Sequence, residues 1–473
     1  LKIAFAVNRP ALLHQRLRMG CCIQSASHGA PWQGFHQGAP VVRKELRRMT
    51  AAEQERFARA VLRMMVNTAG PESSEYYRCA SYHGWPHDFC QHGHESFAVW
   101  HRAYLLDFER ALRGADAQLG GDGQLGLPYW DWQTLDVNGE CYPKAMSRFF
   151  SAMPPELIST QNRLKDVGYQ MLASEARILT SLRAGGLDDM VWGTLEQEQH
   201  HMAACTRWRG MNIESPHNSI HVLLGFPMNA VEFAAFHPIF FVHHCNIDRL
   251  YQKYLELEPN SAEEMAAYQR RLESRGERNR YEEPLRPFKF KGKDCMARDM
   301  FHIEELGYSY DELPRGPPQR MRERPTYAVF WPIEPLEVAK QSMELHVFVV
   351  KGAEEADWQA GRHEDFGKSP SYAGWGAVWG SKEGCSSCRE RKPMDVRVDV
   401  TAALSRQGLR RSEASVRVVC IVADTVVPLP RAIPVPKLEG PYFEGPPSEA
   451  LQRGSGGGDV VALQAYLAKY HYY

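Results

Sequence analysis

Two adjacent histidines, His243 and His244, stand inside the apolar run Phe236-His-Pro-Ile-Phe-Phe-Val-His-His-Cys-Asn-Ile-Asp-Arg-Leu-Tyr251. An imidazole buried without a partner costs on the order of 1–3 kcal/mol, so a pair among Phe, Val and Ile needs something that binds it. More histidines gather elsewhere. His83, His87, His92, His94 and His101 crowd one short span, and His83, His92 and His101 follow each other at intervals of nine. His217 and His221, four apart on a predicted helix, share one face, and with His244 they make a second trio. Imidazole donors suit copper, zinc, iron and nickel, and the near absence of carboxylates from both trios argues against calcium, magnesium or a facial-triad iron site. Two all-histidine trios predict two metal ions. His87, His94, His200, His201 and His237 are expected to be ordinary core or surface histidines.

The elements that must position these rings are mostly helical. Thr50-x-x-Glu53 is a capping box that opens a helix with Phe57, Val61, Leu62 and Met65 at helical spacing. Gly and Pro put His83 to His94 on a loop, and Ser96 to Leu112 carries an amphipathic pattern with His101 on or beside its apolar stripe. Leu127-Pro-Tyr-Trp-Asp-Trp132 is an aromatic turn suited to closing helices together. Ser215-Pro216 is expected to cap the helix of His217 and His221, which ends near Gly225. Glu256 to about Met321 is charged and irregular, and Arg324 to Pro335 has the proline content of a linker.

From about Ser342 the period changes to alternation. Met343–Val350, Met394–Val400 and Ser415–Val422 predict strands of an antiparallel sandwich, while Val427 to Pro436 holds too many prolines for a central strand. The expected architecture is mainly α, a four-helix-bundle metal domain followed by a small antiparallel β-sandwich domain. Its divisions are an irregular N-terminal arm (1–41), the helical domain (42–335), the sandwich (336–438) and a Gly-linked C-terminal tail (439–473), which holds Tyr466, Tyr470, Tyr472 and Tyr473.

With 44% apolar and 24% charged residues and no run near the roughly 18 apolar residues of a membrane span, a soluble protein is expected. A net charge of -1 offers no attraction to nucleic acid or an anionic membrane. Eleven cysteines cannot all pair, so at least one sulfur has another use. Leu1 suggests a processed or trimmed chain whose targeting peptide is out of view, and the compartment stays open, with a secreted or organelle-lumenal setting favoured.

Several motifs resemble the type 3 copper family, that is tyrosinases, catechol oxidases and hemocyanins. They are Tyr82-His-Gly-x-Pro86, Cys90-x-His-Gly93, Phe97-x-x-Trp-His-Arg-x-Tyr104, Pro128-Tyr-Trp-Asp-Trp132, His217-Asn-x-Ile-His221 and Pro238-x-Phe-x-x-His-His-x-Asn-x-Asp-Arg249. Tyr372-Ala-Gly and Asp399-Val-Thr-Ala-Ala-Leu404 resemble the sandwich that follows the copper domain in molluscan hemocyanin units.

The resemblance implies two copper ions in a dinuclear centre, copper A on His83, His92 and His101 and copper B on His217, His221 and His244. His243 is then a hydrogen-bonded neighbour. Asp248, one turn beyond His244, is either a carboxylate orienting an imidazole or a partner for arginine in the core. Cys90-x-His92 matches family members with a cysteine–histidine thioether, which would account for the odd cysteine count; ten sulfurs remain for disulfides, and Cys385-x-x-Cys388 is equally a disulfide, a free pair or half a zinc site. Asn218 and Glu214 match a pair proposed to hold a deprotonating water, although Glu214 also suits a helix N-terminal acid. Val231 falls where some catechol oxidases carry a gate residue. The pattern departs at His237, where aspartate is usual and a histidine is a poorer cap, and in the short loop between His83 and Cys90.

The implied activity is a copper phenol oxidase, a tyrosinase with monooxygenase activity or a catechol oxidase, taking O2 and small phenols to o-quinones. A hemocyanin-like O2 carrier is the alternative; the absence of an internal repeat favours the enzyme, since carriers of that lineage are tandem arrays. Two structural zincs are a third reading. In this family a side chain from the C-terminal region can plug the copper pocket, and the tail tyrosines are candidates.

Overall fold

The computed structural model describes residues 40–66, 73–93, 95–146, 178, 181–182, 213–257, 259–276, 278–314, 326–334, 341–352, 363–380 and 394–440. Nearly all of the expected N-terminal arm, together with His94, His200, His201, Cys385, Cys388 and the tail tyrosines, lies outside the described residues.

Helices α1 (Ala51–Met64), α2 (Glu75–Ala80), α3 (Phe97–Gln118), α4 (Glu214–Leu224), α5 (Ile239–Leu257) and α6 (Ser261–Ser274) form the N-terminal part. α1 starts at the predicted capping box, with Thr50 accepting from the Glu53 N–H and the Glu53 carboxylate from the Thr50 N–H. α3 is the central helix, packed on α1, α2 and α5, and its buried face includes Trp100, His101, Tyr104 and Phe108. α5 buries almost its whole surface, from Ile239 to Gln252, which is why its sequence is so apolar. The aromatic turn docks where expected: the Trp130 N–H donates to the Val242 carbonyl of α5, and its indole N–H to Cys141.

Strand β1 (Val41–Arg43) runs parallel to β4 (Tyr308–Tyr310), and β2 (Pro284–Phe290) forms a hairpin with β3 (Lys293–Met296). The C-terminal part holds β5 (Tyr327–Ile333), β6 (Met343–Lys351), β7 (Tyr372–Val378), β8 (Met394–Asp399), β9 (Ala414–Val422), β10 (Thr425–Val427) and β11 (Lys437–Glu439). They make a four-stranded sheet in the order β10-β9-β6-β7 and a three-stranded sheet in the order β11-β5-β8, with antiparallel pairing. Their facing sides bury Ala328, Phe330, Leu345, Val347, Val396 and Val398 in a core separate from the helical one. The fold is the expected helical bundle with a small antiparallel sandwich, and β6 and β7 lie against α4.

Three local expectations are corrected. Arg324 to Pro335 is not simply linker: Tyr327–Ile333 is a sandwich strand, and Pro332 is accommodated where the pairing with β8 shifts register between Phe330 and Ile333. Glu256 to Met321 holds α6 and a hairpin; only Met265, Tyr268 and Leu272 of α6 form its buried hydrophobic stripe, too thin a pattern to stand out among charges. Ser215 is not the cap of α4, because Glu214 is already helical and the cap residue is Ile213.

Candidate metal centre

His83 follows α2, His92 lies on the loop before α3, His101 is on α3, His217 and His221 on α4, and His244 on α5. All six rings are buried. Within the first trio the ring centroids are 5.0, 5.2 and 5.7 Å apart, and within the second 4.4, 4.7 and 5.4 Å. The trios adjoin, since His101 stacks on His244 at 4.5 Å with 15° between planes.

Orientation is set through the second nitrogen in four of the six rings. Nδ1 donates to an oxygen in each: His83 to the Val231 carbonyl (3.0 Å), His101 to Phe97 (2.8 Å), His221 to Met228 (2.9 Å) and His217 to Asn218 Oδ1 (3.0 Å). An oxygen without hydrogen can only accept, so the proton sits on Nδ1 and the Nε2 lone pair is left for another partner. His217 Nε2 and His221 Nε2 both lie 3.2 Å from His244 Nε2. At least two inward lone pairs thus converge on a third ring nitrogen, an arrangement a cation relieves. Burial holds the His101, His217, His221 and His244 imidazoles well below their ordinary pKa, and the neighbouring imidazoles push the same way. They are neutral at neutral pH. Neutral nitrogen donors, buried and pre-oriented, fit copper.

Gly84 lets this happen at His83. Its φ of +88° suits glycine, and a Cβ there would meet Glu232 Cα at 2.9 Å and the Val231 oxygen at 3.1 Å, the same oxygen that holds His83.

Other predicted residues fall into different places. Cys90 is buried, with its sulfur close to donor nitrogens of His83 and His92. The six described cysteines, Cys79, Cys90, Cys141, Cys245, Cys295 and Cys420, form no disulfide with one another, so none of the anticipated disulfides occurs among the described residues. Both oxygens of buried Glu214 accept from the Gly93 N–H at 3.0 Å, tying the His92 loop to the start of α4, and Asn218 orients His217. Val231 is buried and meets the site through its backbone. Of the two alternatives for Asp248, the geometry matches the arginine partner: its carboxylate takes Arg102 at 2.6 Å, Arg43 at 3.1 Å, Tyr308 at 2.7 Å and Tyr310 at 2.5 Å, and no imidazole. Burial alone would raise its pKa, but the two guanidinium groups outweigh that and hold it below the usual value. His237 does act as a cap, its Nδ1 accepting the Ile239 N–H at 3.1 Å. His243 is corrected, because it has no hydrogen-bond partner among the described residues.

Trp379, immediately after β7, was missed. Its indole stacks on His221 at 3.9 Å and 19°, stands edge-on to His92 and His217 at 5.2 Å each, and donates from Nε1 to the Met228 carbonyl at 3.0 Å. The strand Tyr372-Ala-Gly-Trp-Gly-Ala-Val-Trp379 carries Trp375 and Trp379 at even spacing on one face, the signal that could have marked it.

Bundle and imidazoles together suit a dinuclear copper centre. The chain matches the common central domain of tyrosinase over residues 73–171 and 159–257. It is 28% identical over 267 residues to a hemocyanin of Enteroctopus dofleini (G-type, units Oda to Odg), covering 50% of this chain and 8% of that protein. To the tyrosinase of Streptomyces glaucescens it is 28% identical over 250 residues, 46% of this chain and 84% of that one. In structure it is similar to a pro-tyrosinase mutant of Aspergillus oryzae, with a TM-score of 0.61, 17% identity and coverage of 85% and 93%. The chain spans only part of the length of the hemocyanins it matches. Its helical part is similar to the type 3 copper proteins, tyrosinases and hemocyanins alike.

Proposed function

We propose that the protein is a phenol oxidase that uses O2 to convert o-diphenols, and monophenols, to o-quinones. His83, His92 and His101 hold one copper, and His217, His221 and His244 the other. When bound, the copper pair supplies O2 binding and the electron exchange that side chains lack.

The observation that carries this reading is the Trp379 indole stacked on His221. The space the indole fills beside His221 takes a flat aromatic ring face to face with an imidazole, as an aromatic substrate requires; an O2 carrier needs no such slot. Trp379 thereby occupies the substrate's place and keeps the enzyme latent. Glu214 and Asn218 act as positioning residues, one fixing the His92 loop and the other the His217 ring.

The O2-carrier reading draws on the same residue, because an indole both stacked and hydrogen-bonded excludes phenols permanently if the sandwich never moves. The two separate in one experiment. Copper-loaded protein is incubated in air with a monophenol and a catechol, before and after limited proteolysis, and quinone absorbance is followed. Quinone formation supports the oxidase; no turnover under any condition, with reversible O2 binding, refutes it.

A further inference from the structure

His243 is fully buried, and neither of its ring nitrogens meets a hydrogen-bonding partner among the described residues. A phenylalanine would fill the place without stranding two polar atoms, each at a cost this burial makes substantial. The ring lies within the second trio: one nitrogen each from His217, His221, His243 and His244 all fall within 4.8 Å of one another. Two nitrogens bound to a single ion at about 2.1 Å lie at most about 4.2 Å apart. A small shift therefore brings His243 to the same ion. Toward His217 it is near-parallel, at 5.3 Å and 19°, the arrangement of two donors that compete for one position. Toward His221 it is edge-on, at 5.0 Å and 85°.

We propose that His243 is an alternate donor to the copper of the second trio, replacing His217 while the ion enters or leaves and His221 and His244 keep hold of it. The inference rests on the ligand assignment above and is tested without any measurement of phenol oxidation. Full-length apoprotein is titrated anaerobically with Cu(I) against a chromogenic chelator, for wild type, His217→Ala, His243→Phe and the double variant, and bound copper is counted after desalting. The expected result is two coppers in wild type, two in His217→Ala with the second bound more weakly, and one in the double variant, whose second-site affinity falls at least about tenfold below that of His217→Ala. His243→Phe keeps two coppers but takes up the second more slowly. The copper retained on the first trio reports that each variant is folded. Equal second-site affinity in His217→Ala and the double variant overturns the exchange role while leaving the ligand assignment standing, whereas fewer than two coppers in wild type overturns both.

Discussion

Replacing Trp379 with alanine tests the proposed latency most directly. The indole is completely buried, stacks on His221 and bonds to Met228. A buried tryptophan removes about 150–250 Å² from water, worth about 4–6 kcal/mol at roughly 25 cal/mol per Å², and Trp→Ala changes in cores cost about 3–5 kcal/mol. If that energy holds the pocket shut, a substrate finds it open in only about one molecule in 10² to 10⁴. Trp379→Ala leaves a space the size of an aromatic ring beside His221, so catechol kcat/KM rises by about a hundred- to ten-thousandfold. Trp379→Phe keeps a flat ring and loses only the N–H bond, worth about 1 kcal/mol, and its activity stays within about tenfold of wild type. Initial rates of quinone formation, normalised to bound copper, make the comparison. Trp379→Ala with two coppers and an unchanged rate would refute the reasoning, because a filled slot would then not be the barrier.

His244→Ala should lose the second copper and keep the first; two coppers per chain after desalting would overturn the ligand set. Asp248→Asn should cost about 3–5 kcal/mol, since it breaks a buried ion pair with Arg102 and Arg43, and copper content of the folded protein should not change; copper loss without a shift in the urea midpoint would return Asp248 to a ligand-orienting role. Burial lowers the His237 pKa to about 3, so the folded protein holds this ring neutral while the unfolded chain takes up a proton below its ordinary pKa near 6.5. Its contribution to stability is therefore complete above that value and lost as pH falls from it toward about 3. His237→Asn, which can still cap, should flatten the acid slope of apoprotein stability by up to about 1.4 kcal/mol per pH unit, and denaturant midpoints that track wild type between pH 5 and 7 would count against it.

The clustering of six histidines was legible because their burial contradicts their polarity: rings in Phe-, Val- and Ile-rich surroundings need partners, and their spacing grouped them. The Thr50 capping box and the three long strands were legible from local patterns. Asp248 was only half legible. Helical spacing put it one turn from His244, but Arg43 lies 205 residues away in sequence, and nothing local says which neighbour the carboxylate meets. His243 and His244 look alike in sequence, and only the packing of α4 against α5 separates the ring with converging partners from the ring without hydrogen bonds. Spacing could mark Trp379 as an inward-facing strand residue but not as a neighbour of the imidazoles, since its partners Met228 and His221 sit in the other half of the fold. Attention went instead to the tail tyrosines, which are aromatic and linked by glycines but lie outside the described residues.

The Met228 carbonyl serves two masters. It accepts from His221 Nδ1 at 2.9 Å and from Trp379 Nε1 at 3.0 Å, so the sandwich and a metal-facing ring compete for the electron density of one oxygen. Lifting the sandwich away does more than uncover the site: it leaves the whole acceptor to His221, strengthens that bond, and makes the imidazole a better electron donor to whatever it binds. Uncovering and electronic tuning are then one event, and a protease that frees the sandwich would change the reduction potential of the metal pair as well as its accessibility.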